Sequence, residues 1–372
     1  MKDKTTYPYE LLQRIVDLFP APRSVDLSKT YIFACQHILE PQQKMFAQLI
    51  DAGVPRENIF VLGKAYSTNN EVLKELQGDG INAEQPIFNF LVSFDEQHKA
   101  DCSALFNTFK EVVSGKARVI ILDDGAGLLS VFNENFDKIS SDIEIVGVEQ
   151  TSSGFRRLES EVLKFPIINV ARSAVKLSKE SGFIAESCYQ RINEYLETNK
   201  IYQNRFLVVG LGPIGQAIVD LLQKENKEVF GFDTILGHQN LIGKIQELKP
   251  NVIIGATGST VISKDDVLTL NSLGYKIYLA SVSSSDREFA IVDYQKGDDL
   301  QIHSDVEFEN ITFLNKGFPI NFKGNRNEGA VEGIERTICL LLGAVLYWIS
   351  KDSLVNIPKK FIEVPEKVTN IL

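Results

Sequence analysis

Short apolar runs alternate with longer segments in which apolar residues recur at helical spacing, and this pattern extends along most of the chain. Runs such as Tyr31–Cys35, Ala117–Leu122 and Ile143–Val148 predict strands that are buried on both faces. Further strands are predicted over Ile87–Val92 and Phe289–Val292. Strands that alternate with helices of this length are typical of parallel βαβ units, so the pattern predicts an α/β protein.

One strand–loop–helix segment, Phe206–Asp233, has the features of a dinucleotide-binding fingerprint. In this motif the first glycine allows a tight turn, the second lets the backbone approach a pyrophosphate, and the third lets the helix pack on the strand. The segment ends at Asp233, whose carboxylate would accept hydrogen bonds from an adenosine ribose and repel a 2′-phosphate, so we predict NAD rather than NADP. The loop residues expected to contact the cofactor are Gly210, Gly212, Pro213, Ile214 and Gly215.

The alternating pattern forms two regions, which a helical segment from Val175 to about Leu196 joins. We therefore expect two doubly wound Rossmann-like domains with parallel sheets, joined by hinge helices. Residues 186–334 are expected to form the NAD-binding domain. Residues 1–185 are expected to form a substrate-binding α/β domain, which residues 335–372 complete.

The composition bears on the compartment and on the kinds of partner. The net charge of −10 and the lack of a dense basic run argue against a nucleic-acid or anionic-membrane surface. No apolar stretch approaches the length of a membrane span, and the polar N-terminus lacks the hydrophobic region of a signal peptide. The four cysteines are scattered without a CxxC pair, and the four histidines form no ligand cluster. We therefore expect a cytoplasmic protein with reduced packing cysteines and no metal.

Polar residues follow several predicted strands, at the sheet edge where ligands of open α/β sheets gather. These residues are His37, Asp124, Thr151–Ser153, Thr257 and Gly258. Each has a structural alternative, since His37 could be a hydrogen-bonded, half-buried imidazole and Asp124 could belong to a simple turn. Their shared placement favours a binding site for a small-molecule substrate.

Several segments, taken in order along the chain, resemble the S-adenosyl-L-homocysteine hydrolase (adenosylhomocysteinase) family. Besides the glycine loop, the matching segments are ACQH (34–37), ILDDG (121–125), QTSSG (150–154), PIINVARSAVK (166–176), ATG (256–258) and PIN (319–321). Only the glycine loop is distinctive by itself, but the collinear set is specific. The chain thus looks like a divergent homologue of that family.

The resemblance implies a substrate domain arranged around an NAD domain, usually in a tetramer, so we expect a homo-oligomer. In that family, tightly held NAD⁺ oxidises the ribose 3′-hydroxyl, and the resulting ketone acidifies the neighbouring C4′ proton. The 5′-thiol is then eliminated, water adds, and the ketone is reduced again. The cofactor therefore makes a strong C–H acid only while the substrate is oxidised.

The resemblance also implies roles for individual residues. On the catalytic side these are His37 as the acid/base histidine, Asp124 as an active-site aspartate, Lys176 as the lysine at the 3′-hydroxyl, and Glu180 in place of an aspartate. On the cofactor side they are Thr151, Ser152 and Ser153 in place of three threonines, Thr257, Gly258, Asn321, and Asp233 in place of a ribose-binding glutamate.

Other positions depart from the family pattern. They are Leu39 and Pro41 in place of adenine-reading residues, Gln150 for a glutamate, Ala171 and Ser181 for asparagines, and Ser284 and Glu328 for histidines. A site that reads a base loses much of its discrimination when its hydrogen-bonding partners are removed, so we do not expect adenosine recognition or ordinary hydrolase activity. The family's C-terminal lysine-and-tyrosine tail has no match in the VTNIL ending, so we expect NAD to exchange more freely.

Four functional interpretations stay open. The first is an adenosylhomocysteinase-like enzyme that uses bound NAD⁺ to oxidise a hydroxyl of a nucleoside-like or other small substrate. The second is a non-catalytic NAD-binding regulator on the same scaffold. The third, an active S-adenosyl-L-homocysteine hydrolase, would need Glu40 and Glu328 to recreate base recognition from shifted positions. The fourth, a simple hydroxy-acid dehydrogenase, is disfavoured because His303 is not placed to join Arg287 and Glu288.

Overall fold

The structure is a computed structural model that describes residues 9–19, 26–202, 204–291, 301–329, 331–354 and 356–372, without the side chains of residues 178 and 179. The chain divides into two compact units. Unit 1 comprises residues 1–86, 98–180 and 330–372, and unit 2 comprises residues 87–97 and 181–329. Each unit contains its own sheet and its own apolar core.

Thirteen strands occur in the described part of the chain. In chain order they are β1 (Thr30–Ile38), β2 (Ile59–Thr68), β3 (Asn82–Glu84), β4 (Ala117–Asp123), β5 (Ile143–Glu149), β6 (Ile167–Asn169), β7 (Arg205–Val209), β8 (Glu228–Phe232), β9 (Val252–Gly255), β10 (Ile277–Ser281), β11 (Val306–Phe308), β12 (Ile311–Phe313) and β13 (Phe361–Glu363).

Twelve α-helices occur in the same described residues. They are α1 (Glu10–Asp17), α2 (Glu40–Asp51), α3 (Asn70–Gly78), α4 (Phe94–Val112), α5 (Gly127–Glu134), α6 (Ser152–Glu159), α7 (Ala174–Thr198), α8 (Pro213–Lys224), α9 (Leu241–Leu248), α10 (Lys264–Asn271), α11 (Val331–Ile349) and α12 (Glu366–Thr369). Local capping explains several starts: Asn69 accepts hydrogen bonds from the first-turn amides of α3, and Ser263 with Asp266 forms a capping box on α10. None of these helices combines the length and the hydrophobicity that a membrane crossing needs.

Unit 1 is built on a seven-stranded sheet in the order β13-β6-β5-β4-β1-β2-β3, in which every pair is parallel. Helices α1, α2, α3 and α11 cover one face, and helices α4 and α5 cover the other. The strands are therefore buried on both sides, which is why they are almost continuously apolar in sequence. Trp348 on α11 fixes this helix to the sheet, because its indole N–H donates to the carbonyl of Gly147 at 3.1 Å.

Unit 2 is built on a six-stranded sheet in the order β11-β12-β10-β9-β7-β8. Strand β11 pairs antiparallel with β12, whereas the other pairs are parallel. Helices α7 and α8 pack on one face, and α9 and α10 pack on the other. The predicted α/β class with two Rossmann-like parallel sheets is confirmed, with one antiparallel edge strand added.

Two of the predicted strands are wrong or incomplete. Residues 87–92 form no strand: Ile87 is 93% exposed, and the side chain of Asn89 accepts a hydrogen bond from the N–H of Leu91 at 3.0 Å, which makes a local turn. Apolar residues alone thus misled the prediction, since Ile87 and Leu91 are exposed although Phe88 is buried. In the segment 289–292, Phe289 forms only an isolated bridge with Ile262, and residue 292 lies outside the described residues.

Candidate functional site

The loop between β7 and α8 places a different geometric requirement on each of its glycines. Gly210 has a φ of +95°, and a Cβ there would lie 2.8 Å from the carbonyl group of Ala256. A Cβ on Gly215 would collide with the carbonyl oxygen of Gly210, so only glycine lets α8 pack this closely. A Cβ on Gly212 would meet no described atom within 4 Å. The space beside Gly212 is therefore open, as the approach of a pyrophosphate requires.

The start of α8 supplies donors to the same space. The helix begins at Pro213, with Gly212 as its N-cap. The first N–H groups of a helix have no partner within the helix, and proline has no N–H to lose. The amides of Ile214 and Gly215 are consequently the donors that an anion would meet, in the positive field of a twelve-residue helix.

Asp233 lies against this loop at the end of β8. Its Oδ2 accepts a hydrogen bond from the N–H of Leu211 at 2.7 Å, and its Oδ1 accepts one from the N–H of Ile235 at 2.8 Å. A carboxylate oxygen has a second lone-pair direction beside each of these bonds. The arrangement places an acceptor where the adenosine ribose lies in dinucleotide-binding folds of this type.

The loop after β9, which contains Thr257 and Gly258, is held by the buried carboxylate of Glu288. Its Oε1 accepts hydrogen bonds from both loop amides, and its Oε2 accepts one from the Thr257 hydroxyl at 3.0 Å. Burial raises the pKa of Glu288, and the hydrogen bonds from Ser283 and the loop act against that rise. Glu288 therefore fixes the conformation of a loop that was predicted to contact the cofactor.

Asn321 is half-buried, and its N–H donates to the thiol of Cys188. The loop that leads to it is organised by Asn315, which is buried and has a φ of +51°. The side-chain amide of Asn315 donates to the carbonyls of Pro319 at 2.9 Å and Phe322 at 3.1 Å. Sequence reasoning selected Asn321 and missed Asn315, although an asparagine soon after a short strand is a common turn signal.

In unit 1, three charged side chains meet where β1, β2 and β4 lie side by side. His37 Nε2 is 3.3 Å from Asp124 Oδ2. Lys64 Nζ contacts the other carboxylate oxygen of Asp124 and also its backbone carbonyl, the latter at 2.5 Å. The side chains of Lys64 and Asp124 are each 3% exposed, whereas that of His37 is 14% exposed. His37 is thus the member of this network that a ligand can reach most easily.

The electrostatics of the network favour an ionised carboxylate. Burial acts to raise the pKa of Asp124, but the charges of Lys64 and His37 outweigh it and hold that pKa well below its usual range. His37 Nδ1 lies 2.5 Å from the hydroxyl oxygen of Ser67, a residue with no exposed surface. Because Ser67 is fully buried, it orients the imidazole and is not a nucleophile that a substrate could meet.

A second buried carboxylate joins the turns that follow β4 and β5. Glu149 Oε1 accepts hydrogen bonds from the N–H of Thr151 at 2.6 Å and from the N–H of Gly125 at 3.1 Å. Its Oε2 accepts one from the N–H of Ala126 at 2.9 Å. Burial, together with the charge of Asp123, raises the pKa of Glu149 to about 8. Glu149 therefore fixes the turn that contains Asp124 relative to the next strand end.

The predicted cofactor residues Thr151, Ser152 and Ser153 lie at the start of α6. The Thr151 hydroxyl caps this helix by accepting from the N–H of Gly154 at 3.0 Å, and it donates to Glu149 at 2.7 Å. It also lies 3.2 Å from the Ser153 hydroxyl. The Thr151 side chain thus has a complete structural role of its own, and contact of these three residues with a cofactor stays a prediction.

The remaining two predicted catalytic residues form an ion pair on α7. Lys176 Nζ lies 3.1 Å from Glu180 Oε2, at the i,i+4 spacing of a helix. The other oxygen of Glu180 accepts from the hydroxyl of Thr337 on α11 at 3.1 Å. The pair is mostly buried, with side chains 10% and 18% exposed, so Lys176 is not an ordinary solvated lysine on a helix surface.

Sequence reasoning missed Lys64, Ser67, Glu149 and Glu288 as parts of these arrangements. Lys64 offered the clearest signal, because a charged residue that continues an apolar run such as IFVLG is expected to have a partner. Glu149 and Glu288 gave less warning, since their partners are mostly backbone amides that no side-chain pattern reveals.

Comparisons with known proteins identify relatives by sequence. The chain is 34% identical over 361 residues to the uncharacterised protein Rv0104 of Mycobacterium tuberculosis (strain ATCC 25618 / H37Rv), an alignment that covers 93% of this chain and 68% of that protein. The uncharacterised protein MT0113 of Mycobacterium tuberculosis (strain CDC 1551 / Oshkosh) gives the same values. No family model matches the chain.

Two solved structures show a distant likeness to the chain. A glyoxylate/hydroxypyruvate reductase from Sinorhizobium meliloti, in complex with NADP and malonate, has a TM-score of 0.39 and 13% identity, over 76% of this chain and 92% of that chain. Dipicolinate synthase A chain from Bacillus subtilis has a TM-score of 0.36 and 9% identity, over 90% and 99% of the two chains. Similarity at this level does not indicate a shared activity.

Proposed function

The chain belongs to the same family as these two mycobacterial proteins, and we propose that it binds NAD and oxidises a hydroxyl group of a nucleoside-like or other small substrate. One observation carries the proposal. The three glycines after β7 meet the three separate requirements of a pyrophosphate cradle, with a carboxylate beside the same loop at Asp233.

The cofactor half of the proposal is argued from residues of unit 2. Gly212 leaves open space, the first amides of α8 face it, and Asp233 is ready to accept from ribose hydroxyls. The same carboxylate would repel the 2′-phosphate of NADP, so NAD is the expected form. When bound, the nicotinamide supplies a hydride acceptor.

The chemical half depends on residues of unit 1. His37, held between Asp124 and Ser67, is the group that would exchange a proton with the substrate. The ammonium of Lys176 is held by Glu180. The resemblance to adenosylhomocysteinase implies that this ammonium contacts the hydroxyl that is oxidised. Support for an altered substrate comes from Leu39, which is buried at the position of an adenine-reading residue and has no hydrogen-bonding side chain.

A pair of glycine variants tests the cofactor site. Gly212→Ala should weaken NAD⁺ binding at least about tenfold, because the added methyl group occupies space that a pyrophosphate needs, at a loss of about 1.4 kcal/mol or more. Gly182→Ala is the matched control, since its Cβ also meets no described atom within 4 Å but lies within α7. Isothermal titration calorimetry with NAD⁺ and NADP⁺ measures both. Equal dissociation constants for the two variants, or no binding by the wild-type protein, would refute the proposed site.

Turnover tests the chemistry. Wild-type protein, His37→Asn and Lys176→Met are incubated with NAD⁺ and a panel of nucleosides, sugar nucleotides and S-adenosylhomocysteine. We expect a substrate-dependent rise in NADH absorbance, or product release, in the wild-type protein alone, with NAD⁺ affinity unchanged in both variants. If the variants turn over as fast as the wild-type protein, the assigned roles are wrong.

The second candidate is a non-catalytic NAD-binding regulator, and Glu328 favours it. This residue occupies a position where the adenosylhomocysteinase family has a histidine. Its carboxylate accepts from the amides of Lys323 and Asn325, both at 2.7 Å, so it stabilises a loop and is not free to transfer protons. A regulator would bind NAD as tightly as the enzyme but leave every substrate and the redox state of the cofactor unchanged.

A further inference from the structure

Two cysteines and a histidine that are distant in sequence meet in unit 1. Cys35 is on β1, and His98 and Cys102 are one turn apart on α4. His98 Nε2 lies 3.2 Å from Cys35 Sγ and 3.6 Å from Cys102 Sγ, and the three atoms all lie within 4.8 Å of one another. We propose that this cluster binds a zinc ion.

The distances suit zinc. A tetrahedral zinc ion with Zn–S of about 2.3 Å and Zn–N of about 2.0 Å separates sulfur and nitrogen ligands by about 3.5 Å. The two sulfur–nitrogen distances to His98 lie on either side of that value. Cys35 and Cys102 have no exposed surface, so a charged site here would be costly. Two thiolates and one neutral imidazole around Zn²⁺ form a complex without net charge, so its burial avoids this cost.

Asp123 provides an independent observation beside the cluster. It is the register partner of Cys35 in the parallel pair of β1 and β4, so the two side chains leave the same face of the sheet. The side chain is fully buried, and its Oδ2 accepts from the N–H of Leu129 at 2.8 Å. Its Oδ1 has no hydrogen-bond partner among the residues that the structure describes. This oxygen can accept a hydrogen bond from a water molecule that fills the fourth ligand position.

The backbone at the start of α5 packs directly on the cluster. A Cβ added to Gly127 would lie 3.1 Å from both Cys102 Sγ and His98 Nε2. The absence of a side chain at this position keeps the space around the sulfur and nitrogen atoms clear. The alternative is a thiol–imidazole packing cluster that binds no metal, as the scattered cysteines predicted. The two alternatives differ in a direct measurement that does not involve NAD.

Cobalt and zinc titrations test the site. The reduced protein, purified without a histidine tag and freed of metal with a chelator, is titrated with Co²⁺ and then with Zn²⁺. We expect one equivalent to bind, with thiolate-to-cobalt charge-transfer absorption and tetrahedral d–d bands that zinc abolishes. Cys102→Ala and His98→Gln should each weaken binding at least about 100-fold. Cys339→Ala, which alters another buried cysteine of unit 1, should bind like the wild-type protein.

Three results would overturn the zinc assignment: a wild-type protein without thiolate bands, equal affinity in Cys102→Ala, or cobalt bands that zinc does not abolish. If Cys102→Ala fails to fold by circular dichroism, alkylation of the wild-type protein replaces it. Zinc should then slow the alkylation of Cys35 and Cys102 but not of Cys339, as mass spectrometry of peptides would show. Equal alkylation rates with and without zinc would also refute the site.

Discussion

Removing the buried ammonium of Lys64 is the most demanding test of the charge network in unit 1. In Lys64→Met the side chain keeps its approximate length and loses its charge, so Asp124 is left as a buried carboxylate beside His37 alone. Both partners are 3% exposed in the structure, so water cannot easily replace the lost ammonium. Breaking a buried ion pair in this way costs roughly 3–5 kcal/mol, because the remaining charge is uncompensated.

The geometry places the expected loss near the lower end of that range. His37 Nε2 remains 3.3 Å from Asp124 Oδ2, so the carboxylate keeps one polar neighbour. We therefore expect the free energy of unfolding of unit 1 to fall by about 3 kcal/mol. Asp124→Asn should give a similar loss, since it leaves the ammonium unpaired. The double variant Lys64→Met/Asp124→Asn should be less destabilised than the sum of the two by about 2–3 kcal/mol, because neither charge remains.

Urea denaturation followed by tryptophan fluorescence measures these values for unit 1. The only tryptophan of the sequence, Trp348, is fully buried in unit 1, so its signal reports the unfolding of that unit. Lys74→Met on the exposed surface of α3 is the control, and we expect it to change stability by less than about 0.5 kcal/mol. Additive losses in the double variant would show that Lys64 and Asp124 do not act as a pair.

Three further predictions concern unit 2. Glu288→Gln should speed hydrogen exchange at the Thr257 amide and weaken NAD⁺ binding about tenfold, because the loop loses its charged acceptor; unchanged exchange would contradict this. Burial raises the pKa of Asp286 to about 6, so stability falls as the pH rises from about 4 to about 6. Asp286→Asn should be more stable than the wild-type protein at pH 7.5 by about 2–3 kcal/mol, but not at pH 4, in urea denaturation at both values. Gly215→Ala should be several kcal/mol less stable, since its Cβ collides with the carbonyl oxygen of Gly210. Thermal melting followed by circular dichroism measures this loss, and a variant that melts at the same temperature as the wild-type protein would refute this packing.

The elements that sequence predicted well are those whose environment is uniform along their length. Runs such as 117–122 and 143–148 lie in central strands of an all-parallel sheet, where both faces are buried and apolarity is continuous. The segment 87–92 has a similar composition but forms a turn, because its backbone groups bond to the side chains of Asn89 and Gln97. Local apolarity does not distinguish these two outcomes.

The candidate sites show the same limit more clearly. His37, Asp124 and the glycine loop could be found because they occupy strand ends, where parallel sheets gather ligands. The side chains that meet could not be paired in the same way. The sequence marks Lys64 as a charge within an apolar strand but does not identify Asp124 as its partner, and His98 lies on a helix far in sequence from Cys35. Whether two such residues meet depends on the order of the strands and on the face of the sheet to which each side chain points. Both are properties of the assembled sheet.

The energetic cost of the His37–Asp124–Lys64 network favours an enzyme over a regulator. Two charges taken out of water lose several kcal/mol of hydration, and well-packed apolar residues in the same volume are often equally stable or more stable. Stability of unit 1 therefore does not explain why Lys64 and Asp124 are both buried and charged. An ionised carboxylate held beside a partly exposed imidazole does serve proton transfer, because it fixes the orientation of the His37 ring. A regulator that only binds NAD through unit 2 would gain nothing from this arrangement in unit 1.

The decisive comparison is therefore between the wild-type protein and the double variant Lys64→Met/Asp124→Asn. If the variant folds and binds NAD⁺ like the wild-type protein but turns over no substrate that the wild-type protein accepts, the network exists for chemistry.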